Sequence, residues 1–330
     1  MKYVQEELAK LANSQRNDVA VVDDHGVTTY GELADRVRQL GKTFSTNNCR
    51  YIAILADNGS DWIVTDLAAL HAGLTVVPVP PFFSPTQIAH LLKSASIDTV
   101  VAPPEILGSL LGDSQFKELN CDSVDLAIGK RHGPLVELEP NAQDCCKITF
   151  TSGSTGTPKG VMLSGTTIDQ VVQRLTALLD DFHTSQHLCS TSLATLLENV
   201  AGVYVPLVRG GTVVAPSVKS LGLYGSSRLD ADLFTRKLNE SHANSLILQP
   251  QTLRELTSAI GNRSSRRPEH LKFVAVGGAK VNEADLLEAN AAGIPACQGY
   301  GLSECASVVA LSLPGMSRPE SVGQPLPGIE

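Results

Sequence analysis

No long apolar run, no basic block and no paired-cysteine motif occurs in this chain of 330 residues, and each absence argues against a class of function. No segment approaches the ~18 consecutive apolar residues that read as a membrane span. The opening M-K-Y-V-Q-E-E-L-A-K is charged and lacks an apolar core, so it does not read as a signal peptide. A cytoplasmic location is the resulting expectation. The formal net charge is −8 and no basic stripe relieves it. Binding to nucleic acid through neutralised phosphates is therefore not expected, and an anionic nucleotide would need a local site. Seven cysteines are scattered without a C-x-x-C, which fits reduced thiols acting as small buried apolar residues. His183 and His187 are spaced to share a helix face, but no H-E-x-x-H accompanies them. No Ser-His-Asp arrangement has local support.

What is present is an ordinary globular mix, 42% hydrophobic and 18% charged. Short apolar strands alternate with helices. Strands are expected at 19–22, 51–55, 75–79 and 99–102. Between them, Thr29-Tyr-Gly-Glu32 has capping-box spacing ahead of a helix with Leu33, Val37, Leu40 and Phe44 on one face. Further helices are expected over 61–72 and 86–95. Residues 103–143 are poor in pattern and read as loops at a subdomain junction. The alternation then resumes, with helices from Ile168 and over Leu196–Val208, and strands at 188–191, 212–215, 245–248, 271–276, 294–297 and 308–311. Continuous apolar strands linked by helices predict parallel sheets covered on both faces. The expected fold class is α/β, two stacked doubly wound subdomains.

Residues 148–160, I-T-F-T-S-G-S-T-G-T-P-K-G, organise this pattern. Ile148 and Phe150 alternate with Lys147 and Thr149, as in a half-buried strand. The stretch that follows is almost wholly Ser, Thr and Gly. Such residues build no core, but their backbone N–H groups and hydroxyls can surround an anion, with Lys159 adding a charge. A flexible linker is the competing reading. A Walker loop is excluded, because Pro158 stands where its second glycine belongs.

The string T-S-G-S-T-G-T-P-K-G resembles the phosphate loop of the adenylate-forming family, which includes acyl-CoA synthetases, luciferases and peptide-synthetase adenylation domains. T-T-Y-G-E-L-A and L-A-A-L-H-A-G-L-T-V-V-P-V resemble the family's opening motifs, and three later stretches fit in order. Val276-Gly277-Gly278-Ala279-Lys280 closes a strand, where the family lays adenine; an ordinary strand-to-helix turn is the alternative. Gln298-Gly299-Tyr300-Gly301-Leu302-Ser303-Glu304 resembles Y-G-x-T-E, with Ser303 keeping the threonine's hydroxyl. The resemblance implies that Tyr300 stacks on adenine, Ser303 meets the α-phosphate and Glu304 binds Mg²⁺, a role that suits a hard carboxylate. Ser192–Gly202 corresponds to an acyl-pocket segment that often carries H-x-x-G. Here the spacing is Asn199-Val-Ala-Gly202, without the histidine. Asn199, Gly202 and Gly301 are its expected substrate contacts. Glu198 could pair with a substrate amine, although a solvated helix charge is the plainer reading.

The implied reaction is adenylation of a carboxylic acid by ATP. Thr151, Ser152, Gly153, Ser154, Thr155, Gly156 and Lys159 would hold the β- and γ-phosphates, with Thr155, Lys159 and Glu304 catalytic. Coenzyme A, or an acyl carrier protein as partner, would then accept the acyl group. The absence of a clear amine-binding aspartate and the apolar helix Leu196–Val208 point to a fatty or other apolar acid. A non-catalytic nucleotide-binding fragment is the alternative from another class. The closing S-V-G-Q-P-L-P-G-I-E resembles the stretch that opens the family's third, β-rich subdomain. The chain therefore reads as the large N-terminal part of a longer enzyme, with a natural half-enzyme as the alternative. On that reading these 330 residues alone bind nucleotide weakly and adenylate poorly. Robust ATP–pyrophosphate exchange by the isolated chain would overturn it.

Overall fold

The structure, a computed structural model, describes residues 1–110, 116–131, 144–151, 158–182, 184–224, 228–262, 267–316 and 318–329. The chain forms two compact units. Met1–Asp18, Thr28–Asp169 and Leu193–Thr195 make the first; Val19–Val27, Gln170–Ser192 and Leu196–Glu330 make the second.

The first unit is built on a sheet with the spatial order Phe116–Leu119, Ala127–Arg131, Thr99–Ala102, Tyr51–Ile54, Thr75–Pro78, Cys145–Thr151, Lys159–Ser164. Its central strands run parallel, and the helices Ser60–His71 and Pro85–Ser94 make the returns from Tyr51–Ile54 to Thr75–Pro78 and from there to Thr99–Ala102. Ile52, Ala53, Val76, Val77, Val100 and Val101 are fully buried, as strands covered on both faces require. The helix Tyr30–Thr46 starts where the capping-box spacing places it: Glu32 N–H donates to Thr29 Oγ1 at 3.2 Å and Thr29 N–H to Glu32 Oε2 at 2.8 Å. A second box, Ser84 with Gln87, opens the helix Pro85–Ser94.

Several expectations are corrected here. The stretch read as loop from residue 103 contains the helix Pro104–Leu110 and the strands Phe116–Leu119 and Ala127–Arg131, which close one sheet edge in antiparallel fashion. Charges at Lys117, Glu118, Lys130 and Arg131 hid these strands from a search for apolar runs, and charge at an edge is a common way of blocking further pairing. The chain after Pro158 forms another strand, Lys159–Ser164, folded back on Cys145–Thr151, before the helix Gly165–Leu178 begins. The N-terminal segment is a helix, Lys2–Ser14.

The strand Cys145–Thr151 is also not half-buried. Lys147 is 0% exposed, and its Nζ lies 2.5 Å from Asp66 Oδ1 on the helix Ser60–His71 and 5.9 Å from the Trp62 ring centre. Period-2 alternation identified the strand but not the buried anion that admits a lysine to its covered face.

The second unit carries the sheet Gln324–Pro325, Ala310–Leu311, Ala296–Tyr300, Phe273–Val276, Ser245–Leu248, Gln186–Leu188, Thr212–Val214, Val19–Asp23, Gly26–Thr29. From Ala296–Tyr300 to Val19–Asp23 the strands are parallel, and antiparallel pairs follow at Ala310–Leu311 and Gln324–Pro325. Leu188, Phe234, Leu246, Leu253, Val274 and Ile294 centre its core. A short antiparallel pair, Leu223–Tyr224 with Arg228–Leu229, follows the strand Thr212–Val214 in the chain. Both units have the expected α/β construction. Among the described residues no helix is long and apolar enough to cross a membrane.

Removing one member of a buried charge pair leaves the other uncompensated. Asp66→Ala is therefore expected to lower unfolding free energy by about 3–5 kcal/mol, and the double variant Asp66→Leu/Lys147→Met to recover most of the loss. Urea unfolding of the three proteins measures both.

Candidate active site

The strands Phe273–Val276 and Ala296–Tyr300 are parallel neighbours, with Val276 opposite Gln298. Both therefore end at the same sheet edge, where open α/β sheets bind ligands. Gly277 is buried there. A Cβ on it would stand 3.5 Å from the Gly299 carbonyl oxygen and 3.6 Å from Leu197 Cδ2, so segments 276–280, 298–304 and the approach to Glu198 meet at this point. Gly278 and Ala279 are exposed, and nothing lies within 4 Å of the place a Gly278 side chain would start. Beside them Tyr300 is 46% exposed. Gln298 and Ser303 are half-buried, and Glu304 is exposed on the short helical turn Ser303–Cys305.

A tight reversal presents these side chains. At Gly301 a Cβ would fall 1.5 Å from the Ser307 carbonyl oxygen, which leaves no other residue possible without moving the backbone. Ala306 and Ser307 follow with φ of 55° and 101°. Such left-handed conformations cost on the order of 1–3 kcal/mol each and persist where the surroundings enforce them. Ala306 N–H and Ser307 N–H donate to the carbonyls of Ser303 and Leu302, each at 3.1 Å. Gly301 thus shapes the turn, which is the role the structure displays for this expected substrate contact.

The segment Asn199–Gly202 lies on a π-helix, Glu198–Tyr204, that continues into Val205–Val208. Here the reading of Glu198 as a solvated charge is wrong: the residue is 0% exposed. His187 Nε2 lies 3.0 Å from Glu198 Oε1, while Thr191 N–H and Oγ1–H donate to Oε2 at 2.9 and 2.8 Å. Ser245 Oγ meets His187 Nδ1 at 3.1 Å. His187 stands on the strand Gln186–Leu188, not on a helix, and His183 lies outside the described residues. Gly202 is part of the same packing, since a Cβ on it would lie 2.1 Å from Glu198 Oε1 and 2.7 Å from His187 Nε2. Asn199 is 1% exposed. What sequence reasoning missed is His187. Its signal was a polar residue inside an apolar strand that needs a buried partner.

His187, Cys189 and Glu198 also offer nitrogen, sulfur and oxygen within 4.8 Å of one another. Burial pushes the Cys189 thiol well above its ordinary pKa, which disfavours the thiolate that a zinc ion binds. The histidine and carboxylate atoms are already hydrogen-bonded, so this cluster is a packing knot. Glu304, exposed on its helical turn, has the hard oxygen donors that suit Mg²⁺. Cys305 beside it is exposed, contrary to the expectation of buried cysteines; burial pushes the thiols of Cys146 and Cys297 up to about 11 and about 12.

The Ser/Thr/Gly loop belongs to the first unit. Ser152, Gly153, Ser154, Thr155 and Gly156 lie outside the described residues. The loop's ends are described. Thr151 pairs with Lys159 across the antiparallel strands, Lys159 is exposed, and His90 Nε2 is 3.3 Å from the buried Pro158 carbonyl.

The α/β architecture, with glycines following one parallel strand and an exposed aromatic ring closing its neighbour, is that of the adenylate-forming N-terminal domain. The AMP-binding enzyme family matches residues 8–330, and the chain belongs to that family. It is 25% identical over 306 residues to the polyketide synthase-nonribosomal peptide synthetase phmA of Phaeosphaeria nodorum, covering 89% of this chain and 7% of that protein. It is 26% identical to the fatty acid–[acyl-carrier-protein] ligase MmaC of Mycobacterium marinum, covering 97% of this chain and 62% of the relative. The chain thus spans only part of these relatives. The fold matches that of VinN in complex with L-aspartate, with a TM-score of 0.79 and 21% identity over 98% of this chain and 82% of VinN.

Because Gly202 has no room for a side chain, Gly202→Ala is expected to destabilise the protein by about 1–3 kcal/mol. Glu198→Ala vacates that space, so the double variant should lose less than the two single losses together. A double-mutant cycle by chemical denaturation reads the difference; simple additivity would contradict the packing described.

Proposed function

We propose that this chain is the nucleotide- and acyl-binding part of an AMP-forming acid–thiol ligase that activates a carboxylic acid as its acyl-adenylate. One observation carries the reading: Gly277–Ala279 follows one strand and Tyr300 closes its parallel neighbour, with Glu304 exposed on the turn that comes next. The open backbone at Gly278 and Ala279 suits the edge of adenine, and the exposed ring of Tyr300 suits its face. Gln298 and Gly299 line the same strand end, and the Ser303 hydroxyl is available to an α-phosphate oxygen. Lys159 supplies a positive charge at the end of the Ser/Thr/Gly loop, where Thr151 to Gly156 would cradle the β- and γ-phosphates. Mg²⁺, when bound, offsets charge on the phosphate oxygens, and Glu304 is the residue that would hold it. The protein's part in attack by the substrate carboxylate on the α-phosphorus is alignment and charge stabilisation, with pyrophosphate leaving.

The acid we infer is fatty or otherwise apolar. Glu198, the one carboxylate that could have met a substrate amine in its segment, is fully buried with both oxygens hydrogen-bonded. The acceptor would be coenzyme A or an acyl carrier protein. The name of MmaC, a fatty acid–[acyl-carrier-protein] ligase, supports the carrier as the second of these acceptors.

ATP–pyrophosphate exchange by the full-length protein, run against a panel of carboxylic acids, tests the proposal. Exchange should respond to medium or long acyl chains, and silence with all of them would sink the fatty-acid assignment. Lys159→Ala and Glu304→Ala should each lower kcat about 10²–10³-fold. Unchanged rates would instead favour a non-catalytic nucleotide-binding role. Consumption of coenzyme A against acylation of a carrier separates the two acceptors.

A further inference from the structure

A cavity lies wholly within the first unit, between the helices Lys2–Ser14, Tyr30–Thr46 and Ser60–His71. Its volume is about 180 Å³, and none of the candidate active-site residues lines it. Val4, Leu8, Leu33, Val37, Leu67 and Leu70 form its apolar wall. A dry apolar cavity of about 150 Å³ suffices to bind benzene, so this one has room for roughly six to eight carbons of a straight chain.

The polar lining is one-sided. Arg16, Arg38 and His71 contribute to it, and no aspartate or glutamate does. That bias runs against the whole chain, whose formal net charge is −8. The two arginines share a single carboxylate: Arg16 Nη2 is 2.5 Å from Asp35 Oδ2 and Arg38 Nη1 is 2.9 Å from Asp35 Oδ1. Two guanidinium groups on one carboxylate leave an excess positive charge. Both arginine side chains are more than half exposed, at 56% and 66%, and exposed ion pairs of this kind are worth only about 0–1 kcal/mol. Re-aiming them onto an incoming anion costs little. A guanidinium fork also matches a carboxylate better than an ammonium does.

We propose that this cavity binds a straight-chain carboxylate, its aliphatic tail among the three helices and its carboxylate on Arg16 and Arg38. The tail is held by burial of apolar surface and the head by charge-assisted hydrogen bonds. The site is separate from the adenylation reading above and does not depend on it.

Titration calorimetry with sodium octanoate and with octanol, on the full 330-residue chain, tests the assignment. Octanoate should bind at one site per chain in addition to any acyl site at the strand ends, and bind it more tightly than octanol does. Ala34→Trp fills the cavity from its α-helical wall and should abolish that binding. The double variant Arg16→Gln/Arg38→Gln alters only exposed side chains. It should weaken octanoate about tenfold, as expected for loss of a charge-assisted hydrogen bond, and leave octanol unchanged. Absence of octanoate binding at millimolar concentration would overturn the proposal, as would undiminished binding in a folded Ala34→Trp variant. So would equal affinities for octanoate and octanol. Should Ala34→Trp fail to fold by circular dichroism, the arginine variant decides: octanoate binding unaffected by it overturns the site.

Discussion

The carboxylate of Glu198 is the constraint around which the second unit's helical segment is arranged. A carboxylate withdrawn from water must be met by donors, at a cost of several kcal/mol if it is not. Three donors meet it. His187 supplies one from a strand and Thr191 supplies two from the loop after that strand. These bonds tie the strand Gln186–Leu188 to the helix Glu198–Tyr204 and set how closely the two approach. Gly202 follows from that approach, because the Glu198 and His187 side chains occupy the volume its own would need. The wide turn of a π-helix at this place is of a kind often found at functional positions. Leu197, one residue before Glu198, reaches Gly277, so the same anchoring holds the helix against the strand-end glycines.

Much of this was legible in the sequence, for reasons specific to each residue. The capping box at Thr29 is a local device, and local devices act through neighbours in the chain. The buried parallel strands announced themselves as valine and isoleucine runs. The convergence of V-G-G-A-K with Y-G-L-S-E required only that two strands be adjacent, and they are. What stayed hidden depended on partners distant in sequence. Lys147 and Glu198 look like surface charges until Asp66 and His187 are placed beside them. The edge strands Phe116–Leu119 and Ala127–Arg131 are polar because they sit at an edge, and that position is a property of the sheet rather than of the segment. The reversed strand Lys159–Ser164 was masked by its glycine and lysine. Ala306 and Ser307 carry no sequence mark of left-handed backbone at all, since glycine or asparagine would be the usual signal.

Each unit hides charge behind its sheet, and the two cases differ in kind. In the first, Lys147 and Asp66 are opposite charges in close contact, with the Trp62 ring near the ammonium. In the second, a carboxylate is satisfied by an imidazole, a hydroxyl and a backbone N–H. Neither arrangement is a strong source of stability compared with well-packed apolar side chains.

The pairing of Thr151 with Lys159 also bears on how this region can change over generations. The antiparallel register holds those two residues opposite each other, one strand spacing of about 4.8 Å apart, whatever connects them. An insertion or deletion between them alters the length of a closed segment, and the entropy of closure changes only slowly with length. Such an event leaves Lys159 facing the way it does now. A slip of the pairing by a single residue is different in kind, for it would turn Lys159 to the other face of the sheet together with every side chain that follows on the strand. The hairpin thus separates variation in the composition and length of the loop from variation in the direction of its charge.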